Sequence, residues 1–410
     1  MQTKPMPRLL LLALPLFLLF SGLPADEETP PVFSQRGFLD DGRLLSGKSE
    51  KWKEQVDTLT RLGFNYVATR GTEPAGPVAD YLREQGLAVK TAVFLDEATD
   101  DTPGKPSLHV MGGKSQKLWL GGLLTPPENS SLLWADGGSG KIVAWPSDGN
   151  ELELGVFLHA GSAHNGPVQD PYPALIGGSI REAAKRGLTA NVLVAGPGLE
   201  PFMLNLEAAA AAMKNPERFD GNAFYDAWAS RHFGPEANVL TVKSLKLLHG
   251  AHEQVSGFGA ISAKSMKILS DLQQEKPQGV DLNPVNDALR LARRSLELAN
   301  QAGKKVPAAQ SESFERQILV PASLYLENLE LLESLCRLSG AWKIHRAMPP
   351  SPVSRQRVTG LLAEAQARSE KLNTHMAKGS AAGLSVTTEL RLPLPEEIGA
   401  LAKKFETRQI

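Results

Sequence analysis

The sequence predicts an α/β fold followed by an all-α region: a compact (β/α)8 barrel of the TIM type and then a helical domain. Short apolar runs such as 154–158 and 190–195 have the length, and the lack of alternation, of strands buried on both faces. Each run is followed by a polar or glycine-rich turn. After Pro201 the apolar spacing changes to a period of 3.6 and keeps it through most of the remaining chain.

Eight apolar runs are predicted strands, and their alternation with helical patterns is typical of a parallel barrel. The predicted strands are 36–42, 64–69, 87–95, 117–122, 131–134, 154–158, 174–176 and 190–195. Helices are predicted at 52–62, 77–85 and 178–187, each ending at or just before a glycine. A truncated or open barrel is the alternative. In such folds ligands bind beyond the carboxyl ends of the strands, so the loops there form the candidate site.

The later part of the sequence predicts a helical domain over 201–410. Its helices are expected at 202–214, 222–233, 237–255, 261–274, 284–302, 312–348 with an interruption at Pro321, 352–377 and 395–407, with a short extended piece at 385–391. Cys336, the only cysteine, lies on an apolar helix face and is predicted to be a core residue.

The first 35 residues indicate targeting rather than fold. Lys4 and Arg8 precede an apolar run at 9–20 and small residues up to Ala25, an order typical of a secretory signal peptide. We therefore expect a signal peptide at 1–25, a flexible leader at 26–35, the barrel at 36–200, and secreted or periplasmic localisation. An uncleaved signal anchor is the alternative.

Composition narrows the classes of partner. A net charge of −1 over 410 residues gives no electrostatic reason to expect nucleic acid or an anionic membrane surface. The eight histidines show no metal-binding spacing and there is no cysteine cluster, so we expect no metal and no cofactor.

Four segments carry a family resemblance. The chain has Arg-Gly-Phe-Leu-Asp-Asp at 36–41, Leu-Leu-Trp-Ala-Asp-Gly-Gly at 132–138, His159 with Gly-Pro at 166–167, and Trp-Ala-Ser-Arg-His-Phe-Gly at 228–234. In order and spacing they resemble glycoside hydrolase family 115, the xylan α-1,2-glucuronidases. The resemblance covers roughly residues 36–275 and implies an inverting glycosidase acting on uronic-acid-substituted polysaccharide such as glucuronoxylan.

The sequence departs from that family mainly at positions where family members have acidic residues. Gly137 and Gly138 stand where the family has Asp and Asn, and Gly42 replaces a Glu. The loops at 96–99 and 121–124 lack the runs in which family members carry a catalytic carboxylate. A catalytically inactive barrel that binds glycan or serves as a scaffold is therefore the alternative function. A third hypothesis is a helical interaction protein with a large exposed apolar patch.

Two carboxylates are the predicted catalytic residues. Asp136 follows a buried strand and is flanked by glycine, which leaves space for a ligand, and Asp41 ends the first predicted strand. Inverting hydrolysis needs one acid and one base of this kind. The alternatives are that Asp136 caps its own loop and that Asp41 forms an Asx turn before Gly42.

The predicted substrate-binding residues lie at strand ends or in the adjoining loops: Arg36, Asp40, His159, His164 and Asn165. A histidine can hydrogen-bond a sugar hydroxyl or carboxylate. Arg36 or Arg70 would pair with a uronate, because a guanidinium binds a carboxylate through two parallel hydrogen bonds. The expected partner is a carbohydrate bearing uronic acid, with a homodimer through the helical domain as a further hypothesis.

Overall fold

Seven parallel strands form a closed barrel in chain order, with the last strand pairing back onto the first. The computed structural model describes residues 32–40, 52–70, 76–97, 108–124, 131–137, 140–142, 145, 154–160, 168, 170–195, 203–349, 351–381 and 390–407. The strands are β1 Gln35–Asp40, β2 Tyr66–Thr69, β3 Ala88–Phe94, β4 Leu108–Met111, β5 Ser131–Ala135, β6 Leu154–His159 and β7 Asn191–Ala195. The predicted parallel barrel is confirmed in its closure and strand direction.

The number of strands differs from the prediction of eight. Two predicted strands, 117–122 and 174–176, lie largely in helices, namely α3 Gly113–Leu120 and α4 Pro173–Lys185, whereas β4 was not predicted. Both runs are too short for their periodicity to separate strand from helix. The structure joins the predicted strand 174–176 and most of the predicted helix 178–187 in one helix, α4.

The helices of the barrel region lie between successive strands. They are α1 Trp52–Leu62, α2 Pro77–Glu84, α3 and α4, and the first two confirm the predicted helices. Apolar strand residues that face outward, such as Phe38, Val67 and Trp134, join one core cluster with these helices. Side chains at the alternate positions form a second cluster inside the barrel: Leu39, Tyr66, Ala68, Ala92, Leu108, Val110, Leu133, Ala135, Phe157 and Leu193.

The amino end of the barrel interior is filled by a hydrogen-bonded layer of four side chains, Gln35, Tyr66, Lys90 and Asn191. Tyr66 Oη and Asn191 Oδ1 are 2.5 Å apart, and Gln35 Oε1 accepts from Lys90 Nζ and Asn191 Nδ2 at 2.5 and 3.2 Å. Gly37 makes room for this layer, because a Cβ there would lie 1.9 Å from Tyr66 Cζ. Burial lowers the pKa of Lys90 and raises that of Tyr66.

The described residues from 203 onward are largely helical, as predicted, and most of the predicted extended piece at 385–391 lies outside the described residues. The helices are α5 Met203–Lys214, α6 Gly221–Phe233, α7 Pro235–Val255, α8 Phe258–Gln273, α9 Asn283–Gly303, α10 Ser311–Phe314, α11 Val320–Ala347, α12 Pro352–Ala381 and α13 Pro395–Thr407. The break expected at Pro321 is instead a π-helical turn, Glu315–Leu319, which continues directly into α11. Pro321, the second residue of α11, has no N–H to donate to the turn before it, and that turn is the wider π-helical one.

The helical region has its own apolar core, built mainly from α8, α9, α11, α12 and α13. Cys336 belongs to this core and is 2% exposed, which confirms the sequence prediction, and burial raises its thiol pKa to about 11. Within the ranges given above, no helix combines the length and the apolar character needed to span a membrane.

Candidate functional site

The carboxyl end of β5 holds Asp136 against His159, the last residue of β6. Asp136 Oδ1 lies 2.5 Å from Nδ1 of the His159 ring. Its Oδ2 accepts backbone N–H groups of His159 and Gly140 at 3.0 and 2.6 Å. The Asp136 side chain is fully buried, whereas that of His159 is 21% exposed. The carboxylate fixes the ring, so Nε2 is the atom left to meet a ligand.

The loop after β5 is held in place by the same carboxylate and by Ser179 of α4. Gly140 has φ of +69°, and its carbonyl accepts the Ser179 hydroxyl at 2.9 Å. Ser179 also accepts the Ile142 N–H at 3.2 Å. The alternative role considered for Asp136, an acid that caps its own loop, is therefore present in the geometry together with the contact to His159.

Tyr172 and Asn205 support the end of β6 from behind. The Tyr172 hydroxyl donates to the His159 carbonyl at 2.6 Å, and its ring occupies the space that a Cβ on Gly140 would need. Asn205 Nδ2 donates to the carbonyls of Ala160 and Asp170 at 2.6 and 2.7 Å, and Oδ1 accepts the Tyr172 N–H. Burial, with Asp136 and Asp170 nearby, raises the Tyr172 pKa well above its usual value, so the hydroxyl stays a donor.

A series of stacked and edge-on groups crosses the mouth of the barrel from His159 to Arg70. The His159 ring meets Phe157 edge-on at 4.8 Å, and Phe157 meets Phe94 of β3 at 5.5 Å. The Arg70 guanidinium lies 3.8 Å from the centre of the Phe94 ring. Arg70 directly follows β2 and its side chain is 51% exposed. A cation able to bind a carboxylate therefore shares this mouth with His159.

The other described strand-end carboxylates have different environments. Asp96, after β3, accepts the N–H groups of Lys114 and Ser115 at the start of α3 at 3.0 and 2.7 Å. Partial burial acts to raise the pKa of Asp96, but these hydrogen bonds and the Lys114 charge hold it below its usual value. Asp40, at the end of β1, is buried at 3% exposure. Glu97 is 66% exposed and forms an ion pair with Arg70 at 3.5 Å.

The structure brings some predicted site residues together and separates one. Asp136, His159 and Asp40 lie at the carboxyl ends of their strands. Arg36 is the second residue of β1, at the opposite end of the barrel, and its guanidinium donates to the carbonyls of Gly63 and Phe33 at 2.7 Å each. Its substrate-binding role stays a prediction that these contacts do not favour. The predictions for Asp41, His164 and Asn165 lie outside the described residues.

Sequence reasoning missed Tyr172, Asn205 and Ser179, because each acts through a contact distant in sequence. Asn205 alone could have been suspected from the sequence, because it is a polar residue in the otherwise apolar start of α5. It is fully buried, and buried polar groups are almost always hydrogen-bonded. Among the residues with described positions, no group of three or more His, Cys, Asp and Glu side chains is arranged to hold a metal ion.

A second histidine cluster lies where the barrel meets α7. Asp170 Oδ1 lies 2.8 Å from Nδ1 of His249, and one turn later His252 stacks on Tyr325 with ring centres 4.0 Å apart. Neither ring nitrogen of the buried His252 has a hydrogen-bond partner. Burial lowers the His252 pKa to about 4, so this histidine is neutral in the folded protein at neutral pH.

His252 is expected to make stability depend on pH. Because its folded pKa is lowered, the unfolded chain binds a proton between about pH 6.5 and pH 4 that the folded chain does not. Its contribution is present above pH 6.5 and is lost as the pH falls, by about 2 kcal/mol at pH 5. Urea unfolding of wild type and His252→Phe at pH 8 and pH 5 measures this. The variant should lose about 2 kcal/mol less than wild type on acidification, and equal losses would refute the assignment.

The structure defines the fold class: a closed parallel barrel followed by a largely helical region. The chain matches no protein-family model and no curated sequence. Among solved structures it resembles a family GH115 4-O-methyl-α-glucuronidase with specificity for decorated arabinogalactans, with a TM-score of 0.59 and 12% identity. That match covers 89% of this chain, which spans 64% of the length of that enzyme.

A second solved structure gives the same result. The chain resembles a GH138 enzyme that targets the pectin rhamnogalacturonan II, with a TM-score of 0.57 and 10% identity over 92% of this chain and 84% of the other. At these identities the likeness shows the fold alone. The barrel and the helical region are thus an architecture that carbohydrate-active glycoside hydrolases also use.

Proposed function

We propose that this protein binds or hydrolyses a uronic-acid-bearing oligosaccharide or polysaccharide, such as glucuronoxylan, at the carboxyl end of the barrel, and that it is exported. The observation that carries the proposal is the buried Asp136 carboxylate fixing a partly exposed His159, with Arg70 across the same barrel mouth. The glycoside-hydrolase-type fold supports the substrate class.

In this proposal, His159 and Arg70 bind different groups of the ligand. Arg70 binds the uronate carboxylate through paired hydrogen bonds, for which Glu97 is its exchangeable partner in the free protein. Nε2 of His159 meets a sugar hydroxyl or an attacking water, and Asp136 acts on the ligand only through His159. Asp136 is therefore a positioning residue, because its buried oxygens are all engaged with the protein.

Catalysis requires more than this pair. If the protein is a hydrolase, His159 supplies the base and an acid must protonate the leaving oxygen. Glu97 is an exposed carboxylate at this end of the barrel and is the described residue best placed for that role. The alternative is a glycan-binding barrel that uses the same residues and releases nothing.

The test combines binding and turnover on the mature chain. Titration calorimetry with aldouronic acids and with matching neutral xylo-oligosaccharides should show preference for the acidic ligands. Arg70→Gln and His159→Ala should each weaken acidic-ligand binding about tenfold or more, as for loss of a charge-assisted hydrogen bond. Arg83→Gln, which removes an arginine from an exposed pair on α2, is the matched control and should change nothing.

A turnover assay distinguishes a hydrolase from a protein that only binds glycan. Release of free uronic acid that Glu97→Gln and His159→Ala both abolish would establish a hydrolase. Binding without release would establish a glycan-binding protein. Equal affinity for acidic and neutral oligosaccharides, or affinity that neither Arg70→Gln nor His159→Ala changes, would refute the proposed site.

A further inference from the structure

The hairpin formed by the end of α11 and the start of α12 concentrates positive charge. The segment 334–363 contains five Lys and Arg residues and no acid, although the whole chain has a net charge of −1. Lys343, Arg346, Arg355 and Arg357 are all exposed near the turn between the two helices. A local excess of this size attracts anionic surfaces even when the net charge of a protein is close to zero.

The same hairpin tip exposes large apolar side chains. Met348 is 61% exposed and Val353 is 75% exposed, one on each side of the turn, and Ile344 lies one helical turn before Met348 at 49% exposure. Exposed apolar side chains ringed by cations are typical of surfaces that lie in the headgroup region of a membrane. A soluble polyanion would need the cations but would gain little from Met348 and Val353.

A small cavity opens beside the tip, between the hairpin, α13 and the end of α8. Its volume is about 30 Å³, its floor is formed by Trp342 and Phe405, and Arg346, Arg355, Lys404 and Glu275 surround it. The cations are held by backbone carbonyls: Arg346 donates to Glu275, Arg355 to Glu406, and Lys404 to Gln273. These contacts hold the three cations in place at the base of the hairpin tip.

The acids that face this surface are few. Glu275, at the end of α8, pairs with Lys404 at 3.3 Å, and Glu406 of α13 lies on the neighbouring helix. Lys276 and Lys403 add two further cations beside them. Arg337, nearly two turns before Lys343 in α11, pairs with Glu364 of α12 and is not counted as part of the tip.

We propose that this hairpin tip binds the surface of an anionic phospholipid bilayer, with Met348 and Val353 inserted among the headgroups and the surrounding cations contacting lipid phosphates. The proposal is independent of the function assigned to the barrel. It makes the protein peripheral to a membrane through a surface far along the chain from the predicted signal segment.

Sedimentation with lipid vesicles tests this proposal on the mature chain, without residues 1–25. The protein should sediment with vesicles of phosphatidylcholine and phosphatidylglycerol, much less with phosphatidylcholine alone, and less as salt is raised. Lys343→Gln/Arg357→Gln should weaken binding about 25-fold, or about fivefold per cation. Met348→Ser/Val353→Ser should weaken it about tenfold or more, through loss of buried apolar area.

The control variant replaces the same two kinds of residue, one apolar and one cationic, away from the hairpin tip. Val239→Ser/Lys243→Gln changes an exposed valine and a lysine one turn apart on α7, and it should bind vesicles as wild type does. All replaced side chains are exposed, so thermal unfolding should show four proteins of equal stability. The proposal is overturned by absence of binding to anionic vesicles, by equal binding to neutral vesicles, or by insensitivity to both tip variants. Tighter binding of dextran sulfate through the same residues would also overturn it, in favour of a soluble polyanion.

Discussion

Replacement of Asp136 by alanine is expected to lower the free energy of unfolding by about 3–5 kcal/mol. The change leaves two backbone N–H groups, those of Gly140 and His159, without their acceptor, and it removes the partner of the His159 ring. Because this position is fully buried, water has no direct access to replace the carboxylate as the acceptor of these N–H groups. Urea unfolding at neutral pH measures the loss, and a lower midpoint with an unchanged slope would show that the substitution changed stability alone.

Asp80→Ala is the matched control for this prediction. Asp80 also pairs with a cationic side chain, Arg83 at 2.9 Å, but both side chains are more than half exposed. Its loss should cost about 0.5 kcal/mol or less. If Asp136→Ala were as mild as Asp80→Ala, the carboxylate would not hold the loop after β5, and the assignment of Asp136 as a positioning residue would fail.

Gly155→Ala is expected to cost about 3 kcal/mol, the second largest effect, because a methyl group there has no free space. The new Cβ would lie 2.3 Å from the carbonyl oxygen of Asn191 and 2.8 Å from Cδ2 of Leu133. The carbonyl belongs to β7, which pairs with both β6 and β1, so the barrel itself would have to deform. Thermal and urea unfolding should both show the loss.

Gly178→Ala provides the comparison. Gly178 lies on α4 with nothing within 4 Å of its added Cβ, and alanine is the better helix former by about 1 kcal/mol. This variant should therefore be as stable as wild type or slightly more stable. Equal stability of Gly155→Ala and Gly178→Ala would mean that the contact between β6 and β7 is looser than the structure shows.

The sequence predicted the helical region well because its helices are long and strongly periodic. In α8, α9 and α12 the predicted and observed bounds differ by a few residues. The barrel was harder, since runs of three to six apolar residues satisfy both strand and helix patterns. Leu108–Met111 was missed because it is only four residues long and contains His109, whereas 117–122 was predicted to be a strand and proved to be mostly helix.

The site was predictable only in part, for a similar reason. Strand ends identified Asp136 and His159 separately, but nothing in the sequence indicated that they contact each other. The supports of the pair, Tyr172, Asn205 and Ser179, come from distant segments. The expectation that no anionic membrane is bound rested on the net charge of the whole chain, which averages away the segregation of cations at the hairpin tip.

The hydrogen-bonded layer of Gln35, Tyr66, Lys90 and Asn191 closes the amino end of a barrel whose interior is also packed with apolar side chains. If the proposed ligand is a polysaccharide, it could not thread through the barrel, and its main chain would lie across the rim at the carboxyl ends of the strands. Only a side branch would then reach the ring of His159. The geometry therefore favours a polymer recognised by a pendant substituent over one recognised by a unit of its backbone, and branch length, more than chain length, is expected to set affinity.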